Sequence, residues 1–515
     1  MNVKDKIIDI NELKDYSNTQ RNQNKKLVLC QGHFNIIHPG HLRFLEFAKQ
    51  QGNVLIVAVQ GINWLEEQNK SVFFEEKERA RSVASLHNID KVIIFNDISI
   101  LNIIEAVKPD VYVRGEEFND QIQHIKTEID LVEKLGGKVV FSAGQIEYTS
   151  SSFLDDDLPD LDAKNRNLFK SALNRQNISI SSLKNCCNLF KKANILVIGD
   201  TIVDHYIACD ALGMSAEAPI LNIRELEAKS FVGGAAVVSR HVKALGANCH
   251  YISAIGDDDP GRFVQNELKN DDIVAKLLID STRQTTFKIR YMVGSQKIIR
   301  ISRLQEHHIS QKIQDQILDY INSIAGNLDG IIMSDFNYGM ITPYLIDQIY
   351  EISNRHGIKL FGDSQSSSQI GDVKKFVNFD LITPTEREAR IALGDNYNGL
   401  EKIAMTLLEM INVKNLVITL GENGFLVYQN LPENGDKVVK SQHFPALTVN
   451  PVDVVGAGDS LLSAFSLAMC SGANPVEAAA IGAIVASIAV NKVGNIPVYY
   501  DELIKWQENW QRVNS

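Results

Sequence analysis

Near one end of the chain, Asn450-Pro-Val-Asp453-Val-Val-Gly456-Ala457-Gly458-Asp459-Ser460 places two carboxylates around a turn of small residues, and the apolar run Leu461-Leu-Ser-Ala-Phe465 follows directly. Gly456, Ala457 and Gly458 let backbone N–H groups converge at a helix start, where unpaired amides and the helix dipole both favour a phosphate. Asp459 then stands beside that phosphate as a base for a hydroxyl, the arrangement phosphoryl transfer needs. An ordinary tight turn before a helix uses the same residue types, so the segment alone leaves both readings open. A second constellation lies near the other end. After the short apolar run Leu27-Val-Leu-Cys-Gln comes Gly32-His33-Phe34-Asn35-Ile-Ile-His38-Pro39-Gly40-His41, which leads into Leu42-Arg-Phe-Leu-Glu-Phe-Ala48 with helical periodicity. One histidine near a helix start is usually a cap or a surface residue; here His38 and His41 open a helix directly after a strand.

Such groups need strands that end at the turns carrying them. Both halves alternate strand and helix patterns, which predicts an α/β protein with parallel sheets covered on both faces. In the first half Asn53-Val-Leu-Ile-Val-Ala-Val59 reads as the second strand of a βαβ unit, and Glu75-Glu-Lys-Glu-Arg79-Ala80-Arg81 opens a helix carrying basic residues. Lys108-Pro-Asp-Val-Tyr-Val-Arg114-Gly115 and Gly136-Gly-Lys-Val-Val-Phe141 supply later strands, giving a fold of about five. The second half reads as a larger doubly wound domain with a small β lid inserted near 205–232 and 285–303. There Thr285-Thr-Phe-Lys288-Ile-Arg290 and Lys297-Ile-Ile-Arg300-Ile-Ser alternate charged and apolar residues with a strand's period. Lys288, Arg290 and Arg300 either face a ligand or are solvated on an ordinary edge hairpin. The acidic Asp155-Asp-Asp-Leu-Pro-Asp-Leu-Asp162 begins a polar stretch of helical tendency, so 155–192 is expected to be a linker between domains at 1–154 and 193–515.

Composition narrows the classes of function. At 515 residues and 44% hydrophobic, the chain is large enough for two or three cored domains. A formal net charge of -11 argues against a nucleic-acid footprint, which needs clustered basic residues, so phosphate binding must be local. No apolar run approaches the length of a membrane span, and Met1-Asn-Val-Lys-Asp-Lys-Ile-Ile-Asp lacks a signal peptide's apolar core, so a cytoplasmic protein is expected. Six cysteines without CxxC spacing indicate neither a zinc site nor a disulfide framework.

The turn ending in Asp459 resembles the DxxGAGD signature of the ribokinase-like (PfkB) sugar kinases, and other segments follow in that family's order over about residues 190 to 503. Asn194-Ile-Leu-Val-Ile-Gly199-Asp200-Thr-Ile-Val-Asp204 resembles its first strand, with Asp200 and Asp204 toward the sugar. Ser215-Ala-Glu217-Ala-Pro219 resembles the lid region, and Gly233-Gly234 the glycine pair after it. Thr419-Leu-Gly421-Glu-Asn-Gly424 resembles the nucleotide-side loop, joined by Asn491. The resemblance further implies nucleotide or phosphate contacts from Asp453 and Gly456 to Gly458, substrate contacts from Lys288, Arg290, Arg300 and Asp335, and a role for Glu388 toward Mg²⁺.

The first half resembles the HxGH nucleotidylyltransferases that activate sugar and alcohol phosphates, a Rossmann-like fold. In that family the imidazoles, here His38 and His41, donate to the α-phosphate of a nucleoside triphosphate as charge builds. The resemblance assigns nucleotide contacts to Gly32, Phe34, Asn35, Lys70, Arg114 and Gly115. It adds the hydroxyls of Ser150, Ser151 and Ser152 at a helix start, where a cap is the alternative use. Taken together the chain resembles the bifunctional enzymes that join a heptose 7-phosphate kinase to a heptose 1-phosphate adenylyltransferase and make ADP-heptose for lipopolysaccharide, but with the transferase first.

The implied substrates are therefore sugar phosphates, ATP with Mg²⁺, and a second ATP or CTP, and a homodimer through the kinase lid is permitted by the apolar segment Ala218-Pro-Ile-Leu221. Several positions depart from the pattern. Val237 replaces an Asn after the glycine pair, the Asp-Pro-Lys element reads Asp363-Ser364-Gln365, and Thr385 replaces the Asn of NxxE. In the transferase Asn35 replaces Asp, and the mobile loop reads Glu66-Glu67-Gln68-Asn69-Lys70, with one cation against two carboxylates. Two alternatives follow: a kinase joined to a cytidylyltransferase that makes a CDP-activated sugar or polyol, and an active kinase regulated by a degenerate nucleotide-binding domain.

Overall fold

The computed structural model describes residues 3–34, 37, 39–61, 74–95, 99–115, 122–142, 161–215, 220–294, 296–366, 371–433, 436–448, 450–492 and 494–514. Asn35, His38, Lys70, Ser150, Ser151 and Ser152 lie outside them. The chain divides into two compact units, residues 1–164 with 395–405, and residues 165–394 with 406–515.

In the first unit β1 (Leu27–Gly32), β2 (Val54–Gln60), β3 (Lys91–Phe95), β4 (Val111–Gly115) and β5 (Lys138–Ser142) form one parallel sheet in the order β3-β2-β1-β4-β5. The strands are near-continuously apolar because both faces are covered. Val28 and Cys30 pack on one side with the helices Pro39–Gln50 and Glu76–Ala84. Leu27 and Leu29 pack on the other with Ile103, Ile104 and Val107 of the helix Ile100–Val107. The order reverses at β1, whose neighbours are β2 and β4, and a ligand crevice belongs at the carboxyl ends of such a pair.

The second unit carries nine strands in one sheet: β6 (Asn194–Gly199), β9 (Asn248–Ile255), β10 (Val274–Ile279), β13 (Gly330–Asp335), β14 (Lys359–Ser364), β15 (Leu381–Ile382), β16 (Asn415–Thr419), β17 (Phe425–Glu433) and β18 (Asp436–Phe444). Their order is β10-β9-β6-β13-β14-β15-β16-β17-β18, parallel except at the last two. The expected lid is a separate four-stranded sheet, β12-β11-β7-β8, built from β7 (Thr201–Met214), β8 (Leu221–Gly234), β11 (Thr286–Val293) and β12 (Gln296–Arg303).

Two helices dominate the core of this unit, Ala457–Cys470 and Pro475–Ala489, each buried nearly all round. That requires apolar or small residues on every face, and the sequences supply them. The stretch expected to be a linker is not a free tether. It holds the helices Leu161–Arg175 and Ile180–Cys187, and Phe169, Ala172, Leu173, Leu183 and Cys187 enter the second unit's core. Among the described residues no helix is long and apolar enough to cross a membrane, and all six cysteines are free thiols.

Candidate functional site

In the second unit the turn before the helix Ala457–Cys470 sits at the carboxyl ends of β13 and β14. Gly456 holds φ +78° as the residue before the helix, and no side chain caps it. The Ala457 amide donates to Val454 O at 3.3 Å, and no side-chain cap takes the other first-turn amides, which suit an anionic acceptor. Asp453 ties this turn down. Its Oδ1 accepts from the Val455 amide at 3.1 Å and its Oδ2 from the Gly494 amide at 3.1 Å.

Asp459 lies in the first turn, 8% exposed. Gln365, one residue beyond β14, donates Nε2 to Asp459 Oδ1 at 3.0 Å. The backbone of Gln365 is itself fixed: its amide donates to Asp335 O at 2.9 Å, and its carbonyl accepts from Asn337 Nδ2 at 2.9 Å. Burial pushes the Asp459 carboxyl up to about 7, and Asp204 adds to the shift while the Gln365 bond and Lys288 oppose it. A carboxyl poised there is half ionised near neutrality, as a general base should be. Asp363, at the end of β14, is held well above the usual carboxylate range by burial, then by Glu388 and Asp459.

The lid contributes one polar face. Lys288 stands beside Asp204 of β7 and opposite Ser302, while Arg290 stands opposite Arg300. Directly opposed residues share a face, so Lys288, Arg290 and Arg300 form one basic stripe. Arg290 Nη1 donates to Asp204 Oδ1 at 2.5 Å, and Lys288 is buried over the rings of Phe336 and Tyr338. Arg300 is exposed. Gly233 makes the close approach of Asp204 feasible, because a β-carbon there would meet Asp204 Oδ2 at 2.4 Å. Gly234 ends β8 beside it.

Other expected site residues have local duties. Asp200 accepts the amides of Phe336 at 2.8 Å, Tyr338 at 3.4 Å and Met340 at 3.2 Å, so its carboxylate holds the loop after β13. Asp335 accepts the Asn337 amide at 2.9 Å and pairs with Lys375, whose ammonium burial pushes down to about 8. Glu388 completes a capping box: its Oε2 accepts from the Thr385 amide at 2.9 Å and hydroxyl at 2.8 Å, and its Oε1 accepts from the Ser366 amide at 2.7 Å. Among the described residues no group of three or more His, Cys, Asp or Glu could hold a metal ion. Thr419 ends β16 and donates its amide to Pro384 O at 3.0 Å, and Gly421 and Gly424 flank the short turn after it. Asn491 donates Nδ2 to Ser487 O at 2.8 Å, closing the end of the helix Pro475–Ala489.

In the first unit Gly32 ends β1 and Gly115 ends β4. Phe34 adopts φ +46° and is buried, with its ring 5.0 Å from that of His41, which is 4% exposed. His33 meets His41 edge-on at 6.2 Å. Beneath them lies Arg79, 1% exposed, which donates Nη1 to His33 O at 2.5 Å and to Gln60 O at 2.7 Å, and Nε to Phe74 O at 3.0 Å. One guanidinium thus fastens the loop after β1 to the end of β2. Arg114 is buried, with Nε 3.8 Å from Glu128 Oε2, an oxygen that also accepts from Tyr112 at 2.8 Å.

Asp363 and Gln365 were marked in the sequence only as a departure from the Asp-Pro-Lys element; the contact of Gln365 with Asp459 and the stapling role of Arg79 were not legible beforehand. A glutamine has no chemical signature of its own, and its cue was its place in Asp363-Ser364-Gln365, where the Asp-Pro-Lys element is expected.

Residues 192–500 match the model of the pfkB family carbohydrate kinases, and residues 29–185 match the cytidylyltransferase-like model. The bifunctional protein HldE of Campylobacter jejuni subsp. jejuni serotype O:2 is 31% identical over 317 residues, 61% of this chain and 64% of that protein. That of Pelobacter propionicus is 29% identical over 327 residues, 63% of this chain and 65% of that protein. The chain therefore spans a little under two thirds of the length of these relatives. Escherichia coli phosphofructokinase-2 in complex with substrates and products superposes with a TM-score of 0.52 and 16% identity, over 62% of this chain and 100% of that one. The potassium complex of the same enzyme gives 0.50 at 16% identity, over 62% and 99%. At such identity the likeness is one of fold.

Proposed function

The chain belongs to the pfkB family of carbohydrate kinases, and from that premise we propose a bifunctional enzyme of nucleotide-sugar synthesis. Its kinase, residues 193–515, phosphorylates D-glycero-D-manno-heptose 7-phosphate at the anomeric hydroxyl with ATP. Its transferase, within residues 1–154, joins a nucleotidyl group to a sugar 1-phosphate, giving ADP-heptose.

One observation carries the kinase reading: a buried carboxylate, Asp459, raised to about 7 and aimed by Gln365, opens an uncapped helix behind a Gly-Ala-Gly turn. Asp459 takes the proton of the sugar hydroxyl, whose oxygen attacks the γ-phosphorus as the bond to ADP breaks. The amides of Gly456 to Gly458 meet the charge on the transferring phosphoryl group. Lys288, Arg290 and Arg300 receive the phosphate already on the sugar, and Asp204 orients its hydroxyls. ATP lies along Thr419 to Gly424 and Asn491. Mg²⁺ would neutralise charge on the nucleotide's phosphates, and Glu388, whose Oε1 accepts from the Ser366 amide, would be the residue to hold it or its water shell.

In the transferase, an oxygen of the sugar 1-phosphate attacks the α-phosphorus of the triphosphate and pyrophosphate leaves. His38 and His41 donate to the developing charge, and Gly32, Phe34, Asn35, Lys70, Arg114, Gly115 and Ser150 to Ser152 surround the nucleotide. The match of residues 29–185 to a cytidylyltransferase-like model keeps CTP as the second nucleotide to test. Pyrophosphate release measured with heptose 1-phosphate and ATP, then with CTP, decides between them. Release from ATP is expected; release from CTP alone would make the product a CDP-sugar, and nucleotide binding without release would make the domain a regulator. The exposed Leu212, Met214, Ile220 and Leu221 on the lid support a homodimer.

A further inference from the structure

One buried polar group near Asp459 has no partner for its acceptor. Asn495 is 9% exposed and follows Gly494, whose amide is bound by Asp453. Its Nδ2 faces Asp204 Oδ2 at 3.5 Å. That contact sets the carboxamide's orientation, because only the amino side can donate to a carboxylate. Oδ1 is therefore turned away from Asp204, and it is buried with no hydrogen-bond partner. Leaving a buried carboxamide oxygen unpaired costs free energy that an apolar residue would avoid. Asn491, in the same segment, shows the contrast, since its amide is bound to Ser487 O at 2.8 Å.

Oδ1 packs against Gly456, beside the catalytic turn. A β-carbon on Gly456 would meet Asn495 Oδ1 at 2.9 Å and would stand 4.0 Å from Asp459 Oδ2. The glycine thus lets Asn495 Oδ1 approach the turn on the side where Asp459 Oδ2 lies, as Gly233 lets Asp204 Oδ2 approach. Asp459 Oδ1 is held by Gln365, which leaves Oδ2, the oxygen on the Gly456 side, to take a proton.

Resting on the kinase reading above, we propose that Asn495 is a substrate-binding, specificity-determining residue: its Oδ1 accepts a hydrogen bond from the sugar hydroxyl adjacent to the one that Asp459 deprotonates. The ligand class is a sugar phosphate with a vicinal pair of hydroxyls, one phosphorylated and its neighbour read. For phosphorylation at the anomeric oxygen, the neighbour is the 2-hydroxyl. A site built to bind a hydroxyl discriminates strongly against the analogue lacking it, because its own polar group is then left unpaired.

The test is steady-state ADP release by the full chain with D-glycero-D-manno-heptose 7-phosphate and with its 2-deoxy analogue, for the native protein, Asn495→Ala and Asn495→Asp. The native protein is expected to lose about tenfold or more in kcat/KM on the deoxy sugar. Asn495→Ala should lose a similar factor on the natural sugar, mainly in its KM, with the KM for ATP unchanged, and should treat the two sugars within about twofold. Asn495→Asp keeps an acceptor oxygen and should retain the discrimination at a lower rate. Should the alanine variant not fold, Asn495→Ser takes its place with the same expectation. Equal use of both sugars by the native protein, or undiminished discrimination in the alanine or serine variant, would overturn the proposal. No turnover of heptose 7-phosphate by the native protein would instead overturn the substrate reading beneath it.

Discussion

The two units gather opposite kinds of side chain at the ends of their parallel strands. In the first they are imidazole and guanidinium groups: His41, Arg79 and Arg114 all lie buried near the ends of β1, β2 and β4. In the second, carboxylates meet: Asp204, Asp363 and Asp459, with Lys288 and Arg290 brought in on the lid. The difference follows from the chemistry proposed for each. Nucleotidyl transfer to an already ionised phosphate needs no base, only donors for charge that builds on the α-phosphate. Phosphorylation of a neutral hydroxyl requires a proton acceptor, and one poised near neutrality is obtained by burying a carboxylate among others.

The strongest way to break this contrast is to remove one centre and read both reactions. Asp459→Asn should lower kinase turnover by about a hundredfold or more while pyrophosphate release stays within about twofold. His41→Ala should do the reverse, with a loss of about a hundredfold in pyrophosphate release. A variant that damages both reactions equally would mean the two centres are not independent.

Arg79→Met probes scaffold instead of chemistry. It leaves the carbonyls of His33, Gln60 and Phe74 without their donor, so a loss of about 3 kcal/mol in the first unit's stability is expected. Urea unfolding followed by pyrophosphate release and by ADP release should show the first activity failing at lower urea than in the native protein, and the second unchanged.

A pH profile sharpens the account further. Because the Asp459 carboxyl is raised to about 7, the ionised base is lost as pH falls through that value, and kinase kcat/KM should fall about tenfold per unit below it. Placing a cation beside the base with Gln365→Lys favours the charged form and should move this limb to lower pH by about one unit. A limb that stayed in place would remove Gln365 from the account. The smallest effect concerns stability: burial pushes His241 down to about 3 from 6.5, so the unfolded chain takes up a proton that the folded one refuses. Stability of the second unit should therefore fall as pH drops from about 6.5 toward 3, a trend that Asn or Gln at 241 would lessen.

Local signals in the chain were strong where neighbours in sequence do the work together. Gly456 to Asp459 forms its turn and helix start within one short segment, and the alternation through 286–303 becomes β11 and β12 with Lys288 and Arg290 on one face. What escaped depends on distant partners. Asp200 and Asp204 look equivalent along the chain, yet Asp200 is taken by amides from a loop more than a hundred residues on, and only Asp204 reaches the lid's Arg290. The segment at 161–187 looks polar enough for a linker. Its few apolar residues fall at helical spacing, and the surface they cover belongs to helices near the other end of the chain. Gln365 was marked only as a departure from the Asp-Pro-Lys element and Asn495 not at all, since a carboxamide becomes meaningful only through the group it faces.

Phosphorus NMR of the purified protein with Mg-ATP and D-glycero-D-manno-heptose 7-phosphate, run beside Asp459→Asn, tests the central claim most directly. Resonances of a heptose 1,7-bisphosphate and ADP that grow with the native protein and are absent from the variant are the predicted result. Equal growth in both samples would contradict the role of Asp459, and no product with the native protein would contradict the heptose assignment.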